Sequence, residues 1–220
     1  MTDTINADTR FSSPSGAWMQ VFAFVYDSFL WLGEIAGMRK RRSELLADAR
    51  GRVVEIGAGT GLNLVHYRDE VAELILTEPD ASMRRRLERS LQRSGRAARI
   101  VDAPAERLPL ADASVDTVVS TLVLCTVDNP ERTLAEIARV LRPEGQLLFI
   151  EHVRARSRFL AAYQDMLFRP WRAFAGGCCC NRQTVKLLRD CGFNVEADDA
   201  VWRGMPTIVH PIVVGRAIRS

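Results

Sequence analysis

A chain of 220 residues, 47% hydrophobic and 26% charged, is long enough for one core of ordinary size. Its net charge of +3 is too small to specify an acidic partner, and its five cysteines, three of them consecutive, do not make the framework of a secreted disulfide domain, so a reducing cytosol is expected. Lys40 and Lys186 are the only lysines, which leaves Schiff-base or lysine-base chemistry almost without candidates.

The first fifteen residues are polar and read as a disordered tail without a cleavable signal. Residues 17–32 are mostly aromatic and aliphatic, with Trp18, Phe22, Tyr26, Phe29 and Trp31 among them, and only Gln20, Asp27 and Ser28 interrupt the run. It is too short and too interrupted to span a bilayer, which takes about 20 apolar residues. Two readings stand: a helical lid over the core, which is preferred, or an interfacial anchor aided by the basic run Arg39, Lys40, Arg41 and Arg42. Peripheral membrane contact through residues 17–42 belongs to the second. A second helix over 34–49 is expected to carry the basic run on its solvated face. The organisation expected is a tail over 1–15, a helical lid over 16–50 and the main domain over 51–220.

Val53, Val54 and Ile56 suit a buried parallel strand, which is continuously apolar because both its faces are covered. Glu55 lies within it, and Gly57, Gly59 and Gly61 follow at alternate positions. Glycines at that density allow positive φ and bring amides close to a ligand, and a helix expected over 62–69 aims its N-terminus at the same place. Strand, loop and helix together make a nucleotide-cofactor loop. A dinucleotide fold would have a third glycine where this chain has Leu62. A second strand over 73–78 ends in Glu78, at the distance where a Rossmann-like unit places the carboxylate that binds ribose hydroxyls.

A helix over 80–94 carries five arginines but no interleaved aromatic residues, so nucleic-acid binding is not expected. Strands follow over 99–101 and 115–121, then a helix from Asn129 and Pro130 to residue 141, then a fifth strand over 146–151 after Gly145. An irregular excursion over 153–180, a helix over 181–191 and two strands near 193–201 and 207–215 complete the chain. The alternation predicts an α/β, doubly wound parallel sheet with a terminal antiparallel hairpin.

The pattern from Glu55 to Gly61, E-x-G-x-G-x-G, resembles motif I of the class I S-adenosylmethionine (SAM)-dependent methyltransferases. Residues 105–110 resemble the A-E-x-L-P-F loop of the ubiquinone and menaquinone C-methyltransferases, residues 115–120 their motif IV, and residues 140–145 their L-R-P-G-G turn. Residues 121–127 and 149–153, with Gly177, Cys178, His210 and Pro211, are more closely similar to the small microsomal thiol S-methyltransferases, the methyltransferase-like family seven, whose membrane-anchoring N-terminal helix is shortened here. The resemblance implies a Rossmann-like class I methyltransferase sandwich, a seven-stranded, mostly parallel sheet with a C-terminal antiparallel hairpin, and SAM as cofactor. The cofactor-binding set it implies starts with Tyr26, Glu55, Gly57, Ala58, Gly59, Thr60, Gly61 and Asn63. Glu78 and Pro79 follow, with Glu78 on the ribose, then Ala105 and Glu106 near the adenine, then Thr121 and Leu122. Many relatives have Asp where Pro104 stands, so the adenine contact falls to Glu106 or to amides near Ala105.

Transfer of a methyl group from a sulfonium asks mainly for in-line positioning and exclusion of water. A thiol, with a pKa near 8.5, needs only mild help to become a nucleophile. His152 follows the fifth strand at the carboxyl edge, where open α/β sheets bind ligands, and is the catalytic candidate; its alternative is a structural histidine bonding a loop carbonyl. Cys178, Cys179 and Cys180 lack a second pair and cannot all point at one ion, so no metal is expected; Cys178 is expected to pack under the excursion and Cys125 behind the sheet. No Tyr-x-x-x-Lys pair supports a nicotinamide-dependent reductase, and Asn129-Pro130-Glu131-Arg132 is not the motif of a base-amino methyltransferase. The activity expected is methylation of a small, fairly apolar acceptor, a thiol by preference, with O-, N- or C-methylation of a phenol, quinol or lipid-like acceptor as the alternative. Leu122, Leu124, Phe159, Tyr163, Met166, Phe168 and Trp171 are expected to wall the acceptor, with Glu151, Asp165 and Arg169 as the few charges. The sequence leaves the oligomeric state open.

Overall fold

The computed structural model describes residues 16–219, so the expected tail over 1–15 lies outside the described residues. Seven strands form one sheet: β1 (Gly51–Ile56), β2 (Val71–Thr77), β3 (Arg99–Val101), β4 (Val115–Thr121), β5 (Leu141–His152), β6 (Phe193–Val201) and β7 (Pro211–Arg219). Their order is β3-β2-β1-β4-β5-β7-β6, parallel from β3 through β5, with β7 antiparallel to both β5 and β6. This is the Rossmann-like sheet expected.

Alternate residues of each central strand face opposite sides, as a pleated strand requires. Val53, Leu74 and Leu76 join one apolar cluster while Val54, Ile56 and Ile75 join another, so the sheet is covered on both faces. The strand order reverses between β1 and β4, where open α/β sheets bind their ligands. Ile56 pairs with Ser120 there, so the loops leaving β1 and β4 emerge side by side.

The helices are α1 (Gly16–Gly33), α2 (Arg39–Leu46), α3 (Ala81–Ser94), α4 (Pro130–Val140), α5 (Arg158–Phe174) and α6 (Thr184–Asp190). A π-helical turn over Glu34–Met38 joins α1 to α2 and bends at Gly37, whose φ of 131° is open only to glycine. Asp80 caps α3 by accepting from the Ser82 and Met83 amides, and Asn129 caps α4 by accepting from the Arg132 amide.

Three expectations are corrected. No helix fills 62–69; a 3-10 turn over Leu64–His66 stands there, because Asn63 and Tyr67 turn inward to Glu55 and Tyr67 is already extended. The excursion over 153–180 contains α5, whose Ala161, Gln164, Leu167 and Trp171 recur at helical spacing on its inner side. Buried Gln164 ties α5 down, accepting from the Ala155 amide and donating to the carbonyls of Cys180 and Ile208. The basic run of α2 is not wholly solvated either, since Arg42 is buried against Glu34.

Candidate functional site

The chain leaves β1 through Gly57 and Gly59, with φ of 54° and 57°. A Cβ at Gly57 would meet Val123 Cγ2 at 2.8 Å, whereas among the described residues one at Gly59 would meet nothing nearer than the Gly57 carbonyl at 4.0 Å. The first glycine makes room for the β4 loop, and the second leaves its upper side open to a ligand. Glu78 braces this loop from β2: its carboxylate accepts from the Gly59 amide and the Asp80 amide, each at 2.9 Å. Burial raises its pKa, opposed by those two amides.

Behind the loop runs a buried polar network. Glu55 accepts from Tyr67 Oη at 2.6 Å and from Asn63 Nδ2 at 2.9 Å. Burial lifts the Glu55 carboxyl to about 7 despite these two bonds. Asn63 also donates to Thr121 Oγ1 at 3.0 Å and accepts from Arg42 Nη1 at 2.9 Å. From α1, Asp27 accepts from Thr60 Oγ1 at 2.6 Å.

A cavity of about 520 Å³ opens over the glycine loop. Of the expected cofactor-binding and catalytic residues, Tyr26, Gly57, Gly59, Glu78, Pro79, Ala105, Glu106, Thr121, Leu122 and His152 line it. Glu55, Ala58, Thr60, Gly61 and Asn63 do not. They shape the loop: the Ala58 amide donates to Thr77 O at 2.8 Å and the Gly61 amide to Ala58 O at 3.0 Å. The open face of Gly59, the Glu78 carboxylate and a cavity of this size fit a ligand with ribose hydroxyls and an amino-acid tail.

The cavity also reaches a cluster that the sequence did not join. His152, 6% exposed, ends β5 and places Nδ1 3.4 Å from Cys125 Sγ and 3.4 Å from Cys178 Sγ. The two sulfurs are 3.9 Å apart. Trp202 stacks on the imidazole at 5.5 Å, and His152 Nε2 is buried without a protein partner among the described residues. Contact with Cys125, then the His152 ring, pulls the Cys178 thiol below its usual range against burial, while the same contact and burial push Cys125 up. Cys125 therefore does not pack behind the sheet. Its separation from Cys178, 53 positions along the chain, hid the pair.

Glu151 is no part of the acceptor wall. It is fully buried, and its carboxylate accepts from Ser120 Oγ at 2.7 Å and from the amides of Val123, Leu124 and Cys125 at 2.9–3.0 Å. That bracket shapes the turn after β4, where Leu122 adopts φ of 61°. Of the expected wall, Leu122 and Trp171 line the cavity, but Leu124 is buried in the core, and Phe159, Tyr163 and Met166 are exposed on α5. Asp165 is held by Arg154 and Asn181. The wall instead draws on Phe29 and Leu30 of α1 and on Trp202, Met205 and Val209 between β6 and β7. Met205 is placed by His210, whose ring N–H donates to its carbonyl at 2.8 Å.

Residues 54–149 match the family described as Methyltransferase domain. The human thiol S-methyltransferase TMT1B is 34% identical over 197 residues, covering 83% of this chain and 80% of that protein. The human thiol S-methyltransferase TMT1A is 37% identical over 172 residues, covering 76% and 70%. Among solved structures, the 1,6-didemethyltoxoflavin-N1-methyltransferase of Burkholderia thailandensis, with 1,6-didemethyltoxoflavin and S-adenosylhomocysteine bound, superposes with a TM-score of 0.65 at 18% identity, covering 100% of this chain and 98% of that one. At that identity the likeness is one of fold.

Proposed function

The chain belongs to the SAM-dependent methyltransferases, with SAM as its cofactor, and from that premise we propose that it methylates the sulfur of a small, fairly apolar thiol. The observation that carries the reading is the lining around His152. Phe29, Leu30, Trp171, Trp202, Met205 and Val209 supply apolar surface, and no lysine lines the cavity. Of the carboxylates that do, Glu78 is bonded to loop amides, Asp80 caps α3, Asp128 pairs with Arg172 at 3.2 Å, and Glu106 is the one assigned to the adenine end of the cofactor. An acceptor with a tightly held proton needs a placed base, whereas a thiol needs one least. The segments that resemble the thiol transferases supply Cys125, His152 and Cys178, and His210 positions Met205.

Bound SAM supplies a methyl group already activated on a sulfonium. The residues do the positioning. Gly57 and Gly59 open the loop, Glu78 offers a carboxylate to ribose hydroxyls, and Tyr26, Ala105 and Glu106 border the same space. The apolar lining excludes water from the line of transfer. His152 is the polar group we assign to receive the acceptor sulfur.

Residues 16–50 act in this reading as a lid on the domain over 51–220. No helix of the described residues is long and apolar enough to cross a membrane. Val21, Phe24, Trp31, Leu32 and Ile35 are exposed close to Arg39 and Lys40 in the chain, which supports peripheral contact with a membrane surface.

The test is release of S-adenosylhomocysteine across a panel of alkyl thiols, aryl thiols, phenols, quinols and amines. Turnover should concentrate on the thiols. Turnover confined to phenols or amines would replace sulfur by oxygen or nitrogen as the acceptor atom.

A further inference from the structure

We propose that Cys125, His152 and Cys178 form a binding site for one thiophilic d10 metal ion, with zinc as the reference case, whose fourth coordination position faces the cavity and takes the acceptor as a thiolate. The last part rests on the thiol reading above; the site itself rests on geometry.

The three ligand atoms come from three separate elements, the loop after β4, the end of β5 and the turn after α5, and lie within 4.8 Å of one another. Tetrahedral zinc with Zn–S of about 2.3 Å and Zn–N of about 2.0–2.1 Å sets its ligand atoms about 3.8 Å apart for two sulfurs and about 3.5 Å for sulfur and nitrogen. The observed edges are 3.9 Å for the sulfurs and 3.4 Å for each sulfur to Nδ1. One face of a coordination tetrahedron is therefore already assembled. All three side chains are buried, and all three line the cavity, so the open position faces the space where the acceptor would lie. Two thiolates and a neutral imidazole neutralise a divalent ion, which suits a buried site.

The scaffold fixes the backbone that carries this triangle. The Cys125 amide is pinned by Glu151 at 3.0 Å, and the Cys179 amide donates to Cys125 O at 2.7 Å, which locks the two cysteine segments together. Trp202 stacks on the imidazole and fixes its plane, and Nε2, which carries the ring proton when Nδ1 binds the ion, has no protein partner among the described residues, so its N–H is left to solvent or to ligand. A purely structural histidine would be expected to bond a carbonyl; this one faces two weak S–H donors, of which Nδ1 can accept one.

The acceptor R–SH loses its proton to solvent as its sulfur binds the ion. A sulfur lone pair then forms the new S–CH3 bond while the bond from the methyl carbon to the SAM sulfonium breaks, its electron pair remaining on S-adenosylhomocysteine. The neutral thioether is a weaker ligand than the thiolate and leaves.

The experiment titrates the full-length reduced protein, freed of metal, with zinc(II) and with cobalt(II). We expect one ion per chain by elemental analysis, and a thiolate-to-cobalt charge-transfer band that is lost in Cys125→Ser and Cys178→Ser and kept in Cys179→Ser. Thiophenol should shift that band. Should the serine variants fail to fold, wild-type protein decides: zinc should protect Cys125 and Cys178, but not Cys179, from alkylation. Absence of ion binding by the reduced protein, or a band unaffected by both serine variants, overturns the proposal. So does full thiol turnover by reduced, ion-free protein, which would leave the thiol reading standing. An ion that binds and answers to thiophenol without any methylation of thiols would support the site and remove the thiol reading instead.

Discussion

Arg42 Nη1 donates to Asn63 Oδ1 at 2.9 Å, and this bond ties the N-terminal helical segment to the cofactor loop. Asn63 passes the connection to Glu55 in β1 and to Thr121 at the end of β4. The Arg42 guanidinium also holds Glu34 at 3.0 Å, with Arg42 only 4% exposed.

Removing one partner of a buried pair strands the other charge, at a cost of about 3–5 kcal/mol. Arg42→Met should lower the unfolding free energy by about that amount in urea titration, and Arg42→Met with Glu34→Met should recover most of the loss. A single substitution as stable as the parent would mean that the pair and its link to Asn63 carry no weight.

Glu78→Ala removes the carboxylate that faces the cavity between the Gly59 and Asp80 amides. Hydrogen bonds to charged groups are worth about 1.5–3 kcal/mol each, so calorimetric affinity for S-adenosylhomocysteine should fall at least about tenfold. Unchanged affinity would take Glu78 out of the cofactor site.

Glu55 titrates near 7 in the fold, against 4.5 for an unperturbed glutamate. Between those values the folded chain holds one proton more than the unfolded chain, so this contribution is full at low pH and is lost as pH rises through about 7. In Glu55→Gln that loss should disappear, and urea titrations at about pH 5.5 and pH 8 should show a smaller fall in stability than the parent shows. Equal falls in both proteins would contradict a raised Glu55.

The end of α1 is seated on the turn between β6 and β7. A Cβ at Gly33 would meet Trp202 Nε1 at 2.4 Å and Met205 Cγ at 2.8 Å. Gly33→Val should push α1 off that turn and raise KM for the acceptor with little change in far-UV circular dichroism. Phe24→Ser with Trp31→Ser should instead reduce sedimentation with anionic liposomes and spare turnover in solution; an unchanged KM in Gly33→Val beside that lost sedimentation would make the helix an anchor and not a lid.

The sheet was legible because its central strands are short β-branched runs separated by helix caps and glycines, features that act locally. Gly57, Gly59 and Glu78 were legible for the same reason, since a strand–loop–strand unit fixes their spacing. What was hidden depends on contacts far apart in the chain. Arg42 looks like part of a solvated basic run, and only the buried Glu34 and Asn63 turn it inward. Cys125, His152 and Cys178 are 26 and 27 positions apart, so no short motif announces them. Helix α5 was missed because its inner face is closed by Gln164, a polar residue whose bonding partners lie on other segments.

The most direct test of the account uses SAM with a deuterated methyl group, a small apolar thiol and purified protein, with the product identified by mass spectrometry. One labelled methyl on the acceptor sulfur, formed in step with S-adenosylhomocysteine, is the expected result. A label found on oxygen, nitrogen or carbon of a competing acceptor, with the thiol unmodified, would contradict it.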